Sequence, residues 1–261
     1  MLGDIAQSLL DLLFPPRCVA CGTAGAMLCA SCLARTRTPE PPLCARCGQV
    51  LLVGERGLCL ACGAGRGPVA LEIIRAAAMH EGPVREAVLA LKYRGQRRLA
   101  QPLGDVLAGA VTRLDMRPDV IVPVPLHATR KRQRGYNQAE LLARRCARRL
   151  RLPFEPALLV RTRATPPQVG LSGAERHANV AGAFAVTSPA RVAALLTGKR
   201  VLLLDDVTTT GSTLDAAAAA LAPFAPAALL GLAVTRPDLS DDARDAMFGA
   251  QSARARRGSR T

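Results

Sequence analysis

The chain contains no tryptophan, and aromatic residues make up only 3% of its 261 positions. Its core must therefore be packed from alanine, leucine and valine, which is feasible because 49% of the residues are hydrophobic. Lysine is scarce as well: three of the 35 basic residues are lysine and the rest arginine. No window reaches the ~18 uninterrupted apolar residues of a membrane span, so no spanning helix is expected. The first 13 residues, MLGDIAQSLLDLL, place apolar side chains at helical spacing and read as a short amphipathic helix. They do not read as a signal peptide, because a basic leading region is missing and Asp4 and Asp11 interrupt the apolar run. A cytoplasmic protein is expected. The nucleotide fingerprints GxxxxGK[ST] and GxGxxG are both absent.

The 35 cations stand against 20 carboxylates, a formal charge of +15 that favours polyanionic partners, nucleotides or DNA. Genomic base composition can also raise arginine and alanine, which weakens that inference for nucleic acid.

The most informative stretch is Val201-Leu202-Leu203-Leu204-Asp205-Asp206-Val207-Thr208-Thr209-Thr210-Gly211-Ser212-Thr213. Four aliphatic residues read as a buried parallel strand. Two carboxylates follow at its carboxyl end, then a loop of hydroxyls and one glycine, then an alanine-rich helix over 214–221. Backbone N–H groups of such a loop and a helix N-terminus attract phosphate, and Gly211 lets the backbone approach it closely. Asp205 and Asp206 repel a bare phosphate, so they suit a sugar diol or a metal ion. Phosphate beside a vicinal diol describes a ribose 5-phosphate. A surface turn capping a helix would explain Ser212 or Thr213, but not the whole set.

Eight of the nine cysteines fall in four CxxC pairs: Cys18/Cys21, Cys29/Cys32, Cys44/Cys47 and Cys59/Cys62. In a reducing compartment such pairs suit tetrahedral zinc rather than disulfides. Gly22, Gly48 and Gly63 follow the second cysteine of three pairs and fit tight knuckle turns. A sequential grouping gives two four-thiolate structural sites, a double zinc ribbon. Spacing alone leaves an interleaved arrangement open. Two such sites, each carrying −2, lower the net charge to about +11. Cys146, alone in a basic helix, reads as a small buried apolar residue.

A glycine-rich segment over 63–68 reads as a hinge, after which strands and helices alternate in the manner of a parallel sheet with helices on its faces. Strands are expected over 73–79, 120–126, 183–187 and 229–235, and helices over 83–92, 99–113 and 139–151. The run His127-Ala128-Thr129-Arg130-Lys131-Arg132-Gln133-Arg134-Gly135 leaves the end of the second strand as a basic loop. Its cations, Arg130, Lys131 and Arg134 among them, suit a diphosphate. A solvated basic turn touching DNA is the competing use. His127 suits an acid–base role or a structural one. Residues 160–180 are polar and punctuated by proline and glycine, as a lid would be, with a helix expected near 173–179. Residues 238–261 read as a disordered basic tail.

DDVTTTGST after an aliphatic strand resembles the ribose-5-phosphate loop of the type I phosphoribosyltransferases, which bind phosphoribosyl pyrophosphate (PRPP). From about Phe14 to Pro237 the chain resembles the ComF family, bacterial proteins tied to DNA uptake and competence. PVPLHATRKRQRGYNQ matches that family's signature, LALKYRGQRRLAQPLG its Lys-Tyr-x-Gly element, and RTRATPPQ and ERHAN its lid elements. The resemblance implies a type I phosphoribosyltransferase-like α/β sheet behind a small N-terminal double zinc ribbon. The domains it implies are 1–14 (amphipathic helix), 15–66 (ribbons), 67–237 (phosphoribosyltransferase-like) and 238–261 (tail).

The resemblance also implies roles: Asp205 and Asp206 at the reacting sugar, Val207 to Thr213 on the 5′-phosphate, and Arg130, Lys131 and Arg134 on pyrophosphate. Lys92, Arg161, Arg163, Gln168, Arg176 and Asn179 become lid or substrate contacts, although Lys92 equally suits a solvated helix end. Mg2+ would accompany PRPP, and zinc would fill two structural sites. The implied activity is phosphoribosyl transfer connected with DNA uptake. A non-catalytic PRPP-sensing or DNA-binding accessory is the alternative, with single-stranded DNA or uptake proteins as partners.

Overall fold

The computed structural model describes residues 15–51, 54–164 and 179–237. The helix expected over 1–13, most of that near 173–179, and the tail lie outside the described residues.

Two zinc-ribbon-like repeats open the described chain. In each, a turn carries the first CxxC pair and closes with an antiparallel bridge, Arg17 with Ala24 and Leu43 with Val50. The second pair starts a short helix, α1 (Ala30–Ala34) or α2 (Leu60–Gly63), with Cys29 or Cys59 at its N-cap. Gly22 and Gly48 take φ of 76° and 70°, as tight knuckle turns require. Gly63, expected to do the same, ends α2 instead.

The remaining elements are β1 (Ile73–Met79), α3 (Gly82–Tyr93), α4 (Ala100–Arg113), β2 (Val120–Pro123), α5 (Ala128–Arg134), α6 (Gln138–Leu150), β3 (Leu159–Arg161), β4 (Phe184–Val186), α7 (Pro189–Leu196), β5 (Arg200–Val207), α8 (Ser212–Leu221) and β6 (Ala228–Arg236). β1, β6, β5 and β2 form one sheet in that order, every pair parallel. β3 and β4 pair antiparallel in a separate ribbon.

The aliphatic run of β5 is explained by burial on both faces. Leu202 and Leu204 join Leu103, Leu142 and Ile121 on the side of α3, α4 and α6. Val201 and Leu203 join Val122, Leu214 and Ala217 on the side of α7, α8 and the β3–β4 ribbon. Each fully buried leucine contributes roughly 1.5–3 kcal/mol. Cys146 is fully buried in the first of these clusters, and burial, helped by Asp105, pushes its thiol up to about 12.

Both rims of the sheet are covered. On β1, Ile74 N–H donates to Arg46 O at 2.7 Å and Met79 N–H to Arg37 O at 2.8 Å, so the ribbon segment lies along that rim. On β2, Ile121 N–H donates to Pro153 O and Ile121 O accepts from Glu155 N–H, each at 3.0 Å. This blunts edges that would otherwise pair with another chain.

Two further expectations need correction. The basic run after β2 is a helix, α5, rather than a loop. Arginine, lysine and glutamine are good helix formers, the His127 ring caps Thr129 N–H at 3.3 Å, and Gly135 at φ 79° ends the helix. β2 stops at Pro123 rather than continuing to residue 126, because Pro123 and Pro125 cannot donate to a ladder. Within the 63–68 segment Gly67 is tight, since a Cβ there would collide with Cys62 Sγ, and Asp215 of α8 accepts from the N–H groups of Val69, Ala70 and Leu71 just after it.

Candidate functional site

β2 and β5 run parallel with Pro123 opposite Leu204, and Val124 N–H donates to Leu204 O at 2.9 Å. The segments that follow these strands therefore leave the same edge of the sheet, where ligands of open parallel sheets sit.

β5 continues through the acidic pair, so Asp205 and Asp206 belong to the strand end. Asp206 is 3% exposed on the side of Leu202 and Leu204, facing α3. Lys92, on the last turn of α3, places Nζ 3.0 Å from Asp206 Oδ2. Asp205 Oδ1 accepts from Asp206 N–H at 2.8 Å. Burial and the neighbouring Asp206 push the Asp205 carboxyl up to about 7, with Lys92 opposing them. Burial alone would lower the Lys92 ammonium, but Asp206 and Asp205 reverse this and its pKa rises. Lys92 thus pairs with Asp206, while Asp205 rests on its neighbour's N–H.

The hydroxyl loop follows directly. Thr208 N–H donates to Thr235 O at 3.0 Å, tying the loop to β6. Thr210 Oγ1 and Ser212 Oγ lie 2.7 Å apart, and Ser212 N–H donates to Thr210 Oγ1 at 3.4 Å. The Thr208 hydroxyl is buried with no partner among the described residues. Gly211 has φ 85°, and a Cβ there would collide with Ile74 Cδ1. Val207 ends β5, and Thr209 and Thr213 lie in the loop and at the start of α8.

The basic residues divide. Arg161 lies at the end of β3, its guanidinium 5.3 Å from the Phe184 ring centre. Burial lowers its pKa, Arg130 adds to this and Asp205 opposes it, so both charges lie within electrostatic reach of the guanidinium. Lys131 turns instead to Glu140, 3.8 Å away. Arg134 hydrogen-bonds Gln138 and stacks 5.5 Å from the Tyr93 ring centre. Arg163 donates to Asn179 O at 3.1 Å and Ala181 O at 2.8 Å, drawing together the two ends that flank residues 165–178. Gln168 and Arg176 lie outside the described residues.

Three residues at this site escape sequence reasoning. Asp215, in the first turn of α8, accepts backbone N–H groups of Val69, Ala70 and Leu71 on one oxygen, at 2.9, 2.8 and 3.1 Å. His80, just past β1, lies 2.7 Å from Thr235 Oγ1, and burial, with Arg85 and Lys92 nearby, lowers its pKa. Arg236, 2% exposed, donates to Thr209 O at 3.0 Å. A polar residue breaking an apolar strand or an alanine-rich helix was the only signal available for Asp215 and Arg236.

The cysteines form two groups, Cys18, Cys21, Cys29 and Cys32, and Cys44, Cys47, Cys59 and Cys62, with the sulfurs of each within 4.8 Å of one another. The grouping is sequential. Zinc–sulfur bonds of about 2.3 Å imply sulfur–sulfur edges of roughly 3.8 Å in a tetrahedron. Cys21 and Cys29 lie 3.6 Å apart and Cys47 and Cys59 3.7 Å, so both sets fit the ion. The first set is partly exposed and the second wholly buried. Hydrogen bonds from Ser31 and Cys32 lower the Cys29 thiol to about 6, while Cys32 rises to about 11 under burial and its three neighbours, against a hydrogen bond from Arg35.

A double zinc ribbon domain model matches residues 9–63, and a phosphoribosyl transferase domain model matches residues 137–245. DNA utilization protein YhgH of Escherichia coli K12 is 31% identical over 194 residues, 71% of this chain and 80% of that protein. Competence protein F of Haemophilus influenzae is 41% identical over 98 residues, 38% of this chain and 42% of that protein. The chain belongs to the ComF family. Its ComF architecture is a phosphoribosyltransferase-like parallel sheet with helices on both faces and a double zinc ribbon in front. A solved phosphoribosylpyrophosphate synthetase from Mycobacterium smegmatis overlaps 55% of this ComF chain and 36% of its own length, at 19% identity and a TM-score of 0.33. Among the described residues, no helix is long and apolar enough to cross a membrane.

Proposed function

We propose that this ComF-family chain binds PRPP together with Mg2+ and moves its phosphoribosyl group to or from a nitrogen nucleophile. The observation that carries this reading is the Asp205–Asp206–Lys92 cluster beside the hydroxyl loop. It offers acceptors for a ribose diol next to neutral donors for a 5′-phosphate. Arg161, with Arg130 and Asp205 both within its electrostatic reach, would join Arg130 in supplying cations for a diphosphate. Lys131 and Arg134 would join them by giving up Glu140 and Gln138.

Asp205 and Asp206 are the carboxylates that would suit Mg2+, which when bound would neutralise the diphosphate. In transfer, the bond from the anomeric carbon to diphosphate breaks with its electron pair leaving on pyrophosphate. The nitrogen then bonds to that carbon and releases its proton to the departing pyrophosphate or to water. The acidic pair favours the positive charge that develops between those events. Arg163 and Asn179, with Gln168 and Arg176 outside the described residues, remain the expected lid contacts to the sugar on this reading. On this reading 67–237 is the phosphoribosyl unit and 15–66 the ribbons, in a cytoplasmic protein whose cysteines are thiols or zinc ligands.

Calorimetric titration with Mg-PRPP tests the binding step. The Asp205→Asn, Asp206→Asn double variant should lose it while remaining folded, and an unchanged affinity would sink the assignment. Pyrophosphate release measured over a panel of bases tests turnover. The names of the relatives, DNA utilization protein and Competence protein F, favour a second reading: a non-catalytic, PRPP-sensing or DNA-binding accessory. Salt-dependent retention of single-stranded DNA by the double variant, with no pyrophosphate release by the native chain, would select it.

A further inference from the structure

Arg236 is the largest fully buried side chain at the end of β6, yet no carboxylate pairs with it among the described residues. Its fork is split between two distant segments. Nη1 donates to Cys47 O at 2.6 Å, in the second cysteine tetrad, and Nη2 to Thr209 O at 3.0 Å, in the hydroxyl loop. Arg75 faces the same tetrad, donating to Cys44 O at 3.4 Å and Ala45 O at 3.1 Å. A zinc ion held by four thiolates carries −2, which the two guanidiniums balance.

The knuckle also fits β1 without slack. A Cβ on Gly48 would collide with Ile74 O, and Ile74 N–H donates to Arg46 O at 2.7 Å. The other end of Ile74 lies under Gly211 of the loop, where a Cβ would strike Cδ1. Ile74 and Arg236 thus each touch both the second knuckle and the loop. The first tetrad is built differently: its Cys21 is exposed, and its guanidinium, Arg35 on Cys32 Sγ at 3.3 Å, comes from the end of its own helix.

The geometry points to Arg236 as a positioning residue through which zinc at Cys44, Cys47, Cys59 and Cys62 sets the shape of the 208–213 loop and its affinity for a sugar phosphate. The affinity half rests on the proposed reading of that loop. With the ion in place, Cys47 O and the paired charge hold the guanidinium, and the guanidinium holds Thr209 O. Without the ion the charge balance is lost and the Thr209 carbonyl loses its anchor.

The test uses the full chain loaded with zinc, with hydrogen exchange read at 208–213 and ribose 5-phosphate as the calorimetric probe. Arg236→Gln should keep two zinc ions per chain, one per tetrad. Its loop amides should nevertheless exchange about tenfold faster and its ribose 5-phosphate affinity fall about tenfold. Cys62→Ser should lose one ion and show the same change in the loop, whereas Arg35→Gln should leave the loop exchange as in the native chain. Arg236→Lys, which keeps the charge but loses the fork, should give an intermediate exchange rate and decides the matter if the glutamine variant does not fold. Native exchange rates in Arg236→Gln or Cys62→Ser overturn the proposal. Native protein that ignores ribose 5-phosphate refutes the reading of the loop, and the exchange measurements still decide the coupling.

Discussion

Replacing Asp215 with alanine removes the one oxygen on which three backbone N–H groups converge. Those of Val69, Ala70 and Leu71 approach it at 2.9, 2.8 and 3.1 Å. The three losses are unequal. Val69 is 77% exposed, so water replaces the carboxylate there at little cost, while Leu71 is 2% exposed and its N–H would stay dry. A hydrogen bond to a charged group contributes about 1.5–3 kcal/mol, and a stranded buried donor costs about 1–3 kcal/mol. Asp215→Ala should therefore destabilise by about 2–4 kcal/mol. Asp215→Asn keeps an acceptor oxygen and loses only charge, so it should cost about 1 kcal/mol. Because the chain lacks tryptophan, urea unfolding is best followed by far-ultraviolet circular dichroism. An alanine variant within about 0.5 kcal/mol of the native protein, or an asparagine variant as damaged as the alanine one, would refute the argument.

Other expectations concern the acidic site and its loop. Folded protein keeps the Asp205 proton up to about pH 7, whereas the unfolded chain releases it near 3.8. Stability contributed by this group is therefore lost as pH rises between those values. Asp205→Asn should remove that slope and stabilise the unliganded protein at pH 8 by about 2 kcal/mol, discounted for partial exposure, with little effect at pH 4; equal slopes in denaturation curves across pH would contradict this. Lys92→Met strands Asp206, whose side chain is 4% exposed, and should cost about 3 kcal/mol in urea unfolding. Stability that Asp206→Asn fails to restore in that background would point away from the ion pair. Gly211→Ala must bear positive φ and a collision with Ile74 Cδ1, so Mg-PRPP titration should show at least about tenfold weaker binding.

What the sequence made readable was short-ranged. The aliphatic run of β5 and the CxxC pairs declare themselves within a few residues, and so does the loop between β5 and α8. Asp215 and Arg236 do not, because their partners lie 146 and 189 positions away and are brought in by packing of the whole sheet. The α5 segment misled for another reason. Its charge suggested an open loop, while helix-forming residues between His127 and Gly135 supplied both a cap and a stop. Gly67 serves close approach to the Cys62 sulfur, a role that its place in a glycine-rich run does not show.

The strip of backbone that runs from Arg37 to Arg46 along β1 has a practical outcome. A truncated chain beginning after residue 66 would uncover a rim of unsatisfied amides next to an apolar strand. Such a fragment should aggregate during expression, and the sheet-bearing half of this molecule is best produced, purified and assayed only with its cysteine-rich ribbons attached.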